Sequence, residues 1–155
     1  MTAAANGVGM RPSPAFRLTP DLAPERSTHE ACVDALNKLL LPPAFFFSAA
    51  IGATKLSPQQ AAALSRHGVK RGLPDLFILC DSRLYGVELK RIRSGRLSKT
   101  RIVRTRRGSP RVLEGQEDVF PRLEAAGMTI ALAHSVDEML DQLTRWQIPL
   151  RGHYR

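Results

Sequence analysis

Two carboxylates and an ammonium fall close together in the middle of this chain. Asp75 follows Pro74 at the start of an apolar run, and the next run closes with Glu88, thirteen positions after Asp75, and Lys90. Glu88 and Lys90 are two positions apart, so on a strand they point to the same face of a sheet. A hairpin with a tight turn would bring Asp75, at the mouth of the preceding strand, beside them. Two carboxylates suit a hard divalent cation such as Mg²⁺, which takes oxygen ligands and keeps several waters; Mn²⁺ accepts the same donors. An adjacent ammonium stabilises charge that develops on a phosphoryl group. Metal-assisted hydrolysis of a phosphodiester is the chemistry this set suits. Singly, each residue has a plainer reading: Asp after Pro is a common turn pairing, and Glu88 with Lys90 could be an exposed strand face.

Several elements must position these groups. A helix is expected to start near Ser27 or Thr28 and stop before Pro42-Pro43, with Cys32, Leu36, Leu39 and Leu40 as its buried stripe. Ser27-Thr28-His29-Glu30 also reads as a capping box, in which Glu30 satisfies the N-cap amide. Residues 44–51 read as a strand with Phe45, Phe46 and Phe47 in the core. Ser57-Pro58 opens a second helix that runs to Gly68, followed by a loop carrying Lys70 and Arg71. Strands over residues 76–80 and 84–90 come next, then two short runs, 101–104 and 111–113, joined by Arg107-Gly108-Ser109-Pro110 as a basic β-hairpin. A helix over residues 114–126 contains Pro121, which removes a backbone donor. The apolar run 128–133 lacks strict alternation, as in a strand buried on both faces. Ser135 and Glu138 form a capping box for a last helix bearing Met139, Leu140, Leu143 and Trp146, the last of these as core or interface packing. This order predicts a mixed α/β sheet flanked by helices.

The segment Gly72-Leu73-Pro74-Asp75-Leu76 followed by Glu88-Leu89-Lys90 resembles the PD-(D/E)xK nuclease core, and more narrowly the VRR-NUC family. That family adds a downstream Gln on a helix, matched by Gln116, and an acidic residue on an N-terminal helix, matched by Glu30. The resemblance covers roughly residues 28–149 and implies a restriction-endonuclease-like fold. It implies Asp75, Glu88 and the backbone carbonyl of Leu89 as metal ligands, with Glu30 in an outer or second-metal role. Lys90 would orient or activate the attacking water, and Gln116 would assist near Lys90. The cofactor it implies is Mg²⁺, with Mn²⁺ as a substitute, and the substrate is DNA, including four-way junctions, cut by a homodimer. Gln116 arrives later than in the family pattern, so residues 91–113 read as an inserted basic hairpin within a domain spanning 27–150. An inactive DNA-binding module with the same core, and an RNA-directed nuclease, are the alternatives.

Charge supports a polyanionic partner. The net charge is +9 over 155 residues, with a pI near 10.5. Nine basic residues, Arg91, Arg93, Arg96, Lys99, Arg101, Arg104, Arg106, Arg107 and Arg111, follow Lys90 directly with no Asp or Glu among them. Arginine outnumbers lysine, which favours phosphate contacts. Lys70 and Arg71 could hold the scissile phosphate or its neighbour, or stand as solvated loop charges. Residues 1–26 are rich in Ala, Gly and Pro and read as a flexible arm, and residues 151–155 as a tail. Cys32 and Cys80 sit in apolar runs and read as buried free thiols of a reducing, cytoplasmic compartment. No apolar stretch reaches the roughly 18 residues that span a bilayer, and no Gly-rich phosphate loop calls for a nucleotide cofactor.

Overall fold

The computed structural model describes residues 25–49, 57–91, 96–104 and 108–152. Among them are four helices, α1 (Glu25–Leu39), α2 (Pro58–Arg66), α3 (Gln116–Ala125) and α4 (Val136–Arg145). Strands β1 (Phe45–Ser48), β2 (Leu76–Cys80), β3 (Arg83–Leu89) and β6 (Thr129–Ala133) form one mixed sheet in the order β1-β2-β3-β6. The first two pairings are antiparallel and the third is parallel. Strands β4 (Arg101–Arg104) and β5 (Pro110–Leu113) pair separately as the basic hairpin.

The period of two along the strands sorts the sheet into two faces. Leu76, Ile78 and Cys80 of β2, Tyr85, Val87 and Leu89 of β3, and Ala133 of β6 line one face. Against it pack Cys32 and Leu36 of α1 and Met139, Leu140 and Leu143 of α4, all fully buried. Trp146 packs on Tyr85 with ring centroids 4.9 Å apart and planes tilted by 31°, which makes it a packing residue. Truncating Leu140 to Ala would cost about 2–5 kcal/mol. The opposite face carries Phe77, Gly86 and Glu88, and it is narrow over Gly86. A Cβ there would lie 2.6 Å from the Met128 side chain and 2.8 Å from the Pro74 ring.

Local signals set several boundaries. Ser57 caps α2, with Pro58 in the first turn and a reciprocal bond from Gln60, as the Ser-Pro pair predicts. Pro121 sits inside α3, which continues past it to Ala125.

Four expectations need correcting. First, α1 begins at Glu25, so Ser27 lies inside the helix and the Ser27–Glu30 capping box is not its N-terminus. Second, Phe45 and Phe47 are 65% and 44% exposed, because β1 is an edge strand and only Phe46 turns to the core. Third, β6 is also an edge: Leu132 is 40% exposed and only Ala133 in that strand is buried, so it is not covered on both faces. Fourth, Ser135 caps α4, but the Glu138 carboxylate reaches one residue further back, to the His134 amide and ring.

Candidate functional site

The β2–β3 ladder ends with Leu76 opposite Val87. One further step of that register places Asp75 opposite Glu88 and Pro74 opposite Leu89. Directly opposed residues share a face, with Cβ atoms about 4.5–5.5 Å apart. The Leu89 amide points toward β2 and donates to Asp75 Oδ2 at 2.8 Å, while the next amide, Lys90, turns the other way to Ala133 O at 2.9 Å. Proline has no N–H. The carbonyl of Leu89, on the same edge as its amide, therefore gains no ladder bond from Pro74. The Pro-Asp pair thus has a double effect at the strand end. Pro74 withholds a donor from the Leu89 carbonyl, and Asp75 takes the Leu89 amide and fixes its own carboxylate there.

Glu88 is buried to 3% exposure and Lys90 is nearly so. Lys90 Nζ lies 2.6 Å from Glu88 Oε1 and 3.0 Å from Gln116 Oε1. Glu88 Oε2 is buried without a hydrogen-bond partner. Burial pushes the Glu88 carboxyl above its ordinary value; the bond from Lys90 pulls it down, the charge of Asp75 pushes it up, and Gln116 and the Lys90 charge pull it down. An unpartnered buried carboxylate oxygen is rare and costs about 1–3 kcal/mol or more, the charged case being the costlier.

Gln116 reaches Lys90 because a segment outside the helix holds it. Residues 98–100 lie across the N-terminus of α3, whose first amides have no partners within the helix. The Gly115 amide donates to Thr100 Oγ1 at 2.8 Å, Gln116 to Ser98 Oγ at 3.0 Å and Glu117 to Ser98 O at 3.2 Å. In return the Ser98 amide donates to Gln116 Oε1 at 3.2 Å. Gly115 permits this approach, since a Cβ would collide with the backbone of residues 98–100. Gly72, at φ +73°, packs on the same helix end, 3.2 Å from the Gly115 carbonyl carbon for a built Cβ. The hairpin therefore leaves the body at Thr100 and returns at Gly115, a tighter excursion than the expected 91–113. Ser98, Thr100 and Gly115 carry no chemical signature in the sequence. Their only signals are a glycine before Gln116 and the Ser and Thr within the basic run.

Asp75, Glu88, the Leu89 carbonyl, Lys90 and Gln116 thus meet at one end of the sheet. Glu30 is exposed on α1, and among the described residues no three His, Cys, Asp or Glu side chains group as a metal cluster. On α1, Cys32 feels Asp75: burial, then the Asp75 charge, push its thiol up to about 11. His29, given no role from sequence, lies 3.4 Å from Ser48 Oγ, which donates to the Asp75 carbonyl at 2.9 Å. Lys70, Arg71, Arg91, Arg96, Lys99, Arg101 and Arg104 are exposed and Arg111 is half-buried. Arg93, Arg106 and Arg107 lie outside the described residues.

The donor set fits a single hard cation. A buried carboxylate oxygen lacks a partner, a second carboxylate lies opposite, and a backbone carbonyl is left without a ladder donor. Two carboxylates are the number that Mg²⁺ commonly takes from protein. Among the described residues, no helix is long and apolar enough to cross a membrane. Comparison with protein-family models, with curated proteins and with solved structures returns no match.

Proposed function

We propose that the chain is a Mg²⁺-dependent endonuclease that hydrolyses DNA phosphodiester bonds and is selective for branched DNA. Its core would be restriction-endonuclease-like, of the kind the VRR-NUC resemblance implies. The observation that carries this reading is Glu88, a buried carboxylate with one oxygen on Lys90 and the other on nothing. A purely structural ion pair is favourable only when its remaining lone pairs are satisfied. A divalent ion at Asp75, Glu88 and the Leu89 carbonyl would satisfy them. Bound there, Mg²⁺ supplies Lewis acidity at a phosphate oxygen and lowers the pKa of a coordinated water. Lys90, held by Glu88 and Gln116, presents its ammonium to the phosphate or to the attacking water. Gln116 positions Lys90, and the basic segment holds the flanking backbone. Mn²⁺ would substitute for Mg²⁺, and a second copy of the chain would supply a matching site for the other strand.

The test is cleavage of single-stranded, duplex, flap and four-way-junction DNA, with RNA counterparts, by wild type, Asp75→Ala and Lys90→Ala. Mg²⁺-dependent cutting of branched DNA by the wild type is expected, with both variants binding but not cutting. A rival reading, an inactive DNA-binding module, draws on the direct closure of Lys90 onto Glu88 and the absence of a three-residue ligand cluster among the described residues. Salt-dependent binding with no cleavage under any divalent ion would establish that module instead. A preference for RNA would redirect the substrate.

A further inference from the structure

One face of the β4–β5 ribbon carries exposed apolar side chains. Its register sets Ile102 directly opposite Val112, and these two are 70% and 58% exposed. Alternation places Ile102, Arg104, Pro110 and Val112 on this outer face. On the other face Val103, Arg111 and Leu113 are half-buried and Arg101 is exposed. Single exposed apolar residues are ordinary. A cross-strand pair of branched aliphatic side chains on a ribbon outside the main sheet is a small, stiff apolar ridge, with Arg104 beside it.

We propose that this ridge is a wedge that contacts unstacked bases at a DNA branch, with Ile102 and Val112 against the bases and Arg104 on a flanking phosphate. The proposal rests on the nuclease reading and deepens it by naming what would select a branch over continuous duplex. Apolar side chains inserted between base steps must offset unstacking, a cost of a few kcal/mol per step. At a branch, stacking is already interrupted, so the same insertion costs less there. Charge decides between nucleic acid and a second copy of the chain as occupant. Residues 91–113 hold nine basic side chains and no acid, so two ribbons meeting symmetrically would set like charges together. The position of the ridge is also fixed relative to Lys90. Both ends of the ribbon are tied to the start of α3, through Thr100 on Gly115 and Ser98 on Gln116.

The experiment uses the full chain with EDTA, on a duplex and a four-way junction of matched sequence. Anisotropy gives the two affinities, and 2-aminopurine at the branch reports unstacking. Ile102→Thr/Val112→Thr keeps both positions β-branched, and circular dichroism checks that the ribbon-bearing fold persists. Wild type should prefer the junction and brighten the 2-aminopurine. The double variant should lose about tenfold on the junction but no more than about twofold on duplex, from the apolar contact removed. Equal losses on both DNAs, an unchanged junction preference, or no brightening with wild type would each overturn the wedge. The outcome separates from that of the nuclease reading. Branch preference without cleavage in Mg²⁺ would end the nuclease and leave the wedge, whereas cleavage with a branch preference indifferent to the double variant would do the reverse.

Discussion

Glu88→Gln changes charge and hydrogen-bonding character at almost constant volume, so it separates a cation site from a structural ion pair. Without metal, two effects oppose each other. The variant loses a charge-assisted bond from Lys90, made at 2.6 Å and nearly out of solvent, worth about 1.5–3 kcal/mol. It also exchanges a partnerless buried carboxylate oxygen for a neutral amide group, a relief of about 1–3 kcal/mol. The net change in the metal-free protein should therefore stay within about 2 kcal/mol. Metal acts differently on the two proteins. A cation at about ten times its dissociation constant stabilises the native state by about 1.4 kcal/mol. For a chain of this size that raises Tm by about 3–6 °C. Melting curves followed by circular dichroism, with Mg²⁺ or Mn²⁺ against EDTA, should show this rise in wild type and less than about 1 °C in Glu88→Gln. Equal rises in both proteins would refute the assignment. So would a loss of more than about 3 kcal/mol in the metal-free variant, the signature of a structural buried pair.

Gly115→Ala should drive residues 98–100 off the start of α3 and destabilise the fold by about 1–3 kcal/mol, with cleavage falling further than binding; an unaltered melting curve would contradict the close approach. Changing Arg101, Arg104 and Arg111 together to Gln should lower the slope of log K against log salt by about 2–3 on duplex DNA; an unchanged slope would remove the hairpin from the phosphate interface. Burial and the Asp75 charge raise the Cys32 thiol to about 11, and burial also raises Cys80, ahead of the effects of Asp81. A folded value above the unfolded one means the contribution is whole below the unfolded thiol's range, near 9.0, and is lost as pH climbs through about 11. Native protein at neutral pH should therefore resist thiol reagents until urea unfolds it; rapid labelling of the native Cys80→Ser variant would show that Cys32 is not enclosed.

How much of this was legible in the sequence depended on the range of the interaction. The α2 cap, the basic hairpin and the β2–β3 pair follow from turn chemistry and alternation within a few residues. Asp75 beside Glu88 was legible because a hairpin of fixed register joins them. The contact of Gln116 with Lys90 spans 26 positions, and only the family resemblance pointed to it. Ser98 was marked only through the family resemblance, as the end of the approach to the Gln helix, and Gly115 escaped notice because its importance comes from two backbones touching, which no local pattern encodes. Phe45 and Phe47 were misplaced for a related reason. Composition marks them as core, but their exposure follows from where β1 falls in the strand order. The start of α1 was missed because a serine two residues into a helix looks locally like a cap.

A proline at the last rung of a ladder acts as a stop on a zipper. Were residue 74 an ordinary amino acid, its amide could join the carbonyl of Leu89 and the sheet would close one rung further. The gap between the two strand ends, where a cation and a phosphate would have to enter, would narrow with it. The imino acid keeps that mouth ajar through the donor it lacks, and an uncharged ring thereby governs access to the charged groups beside it.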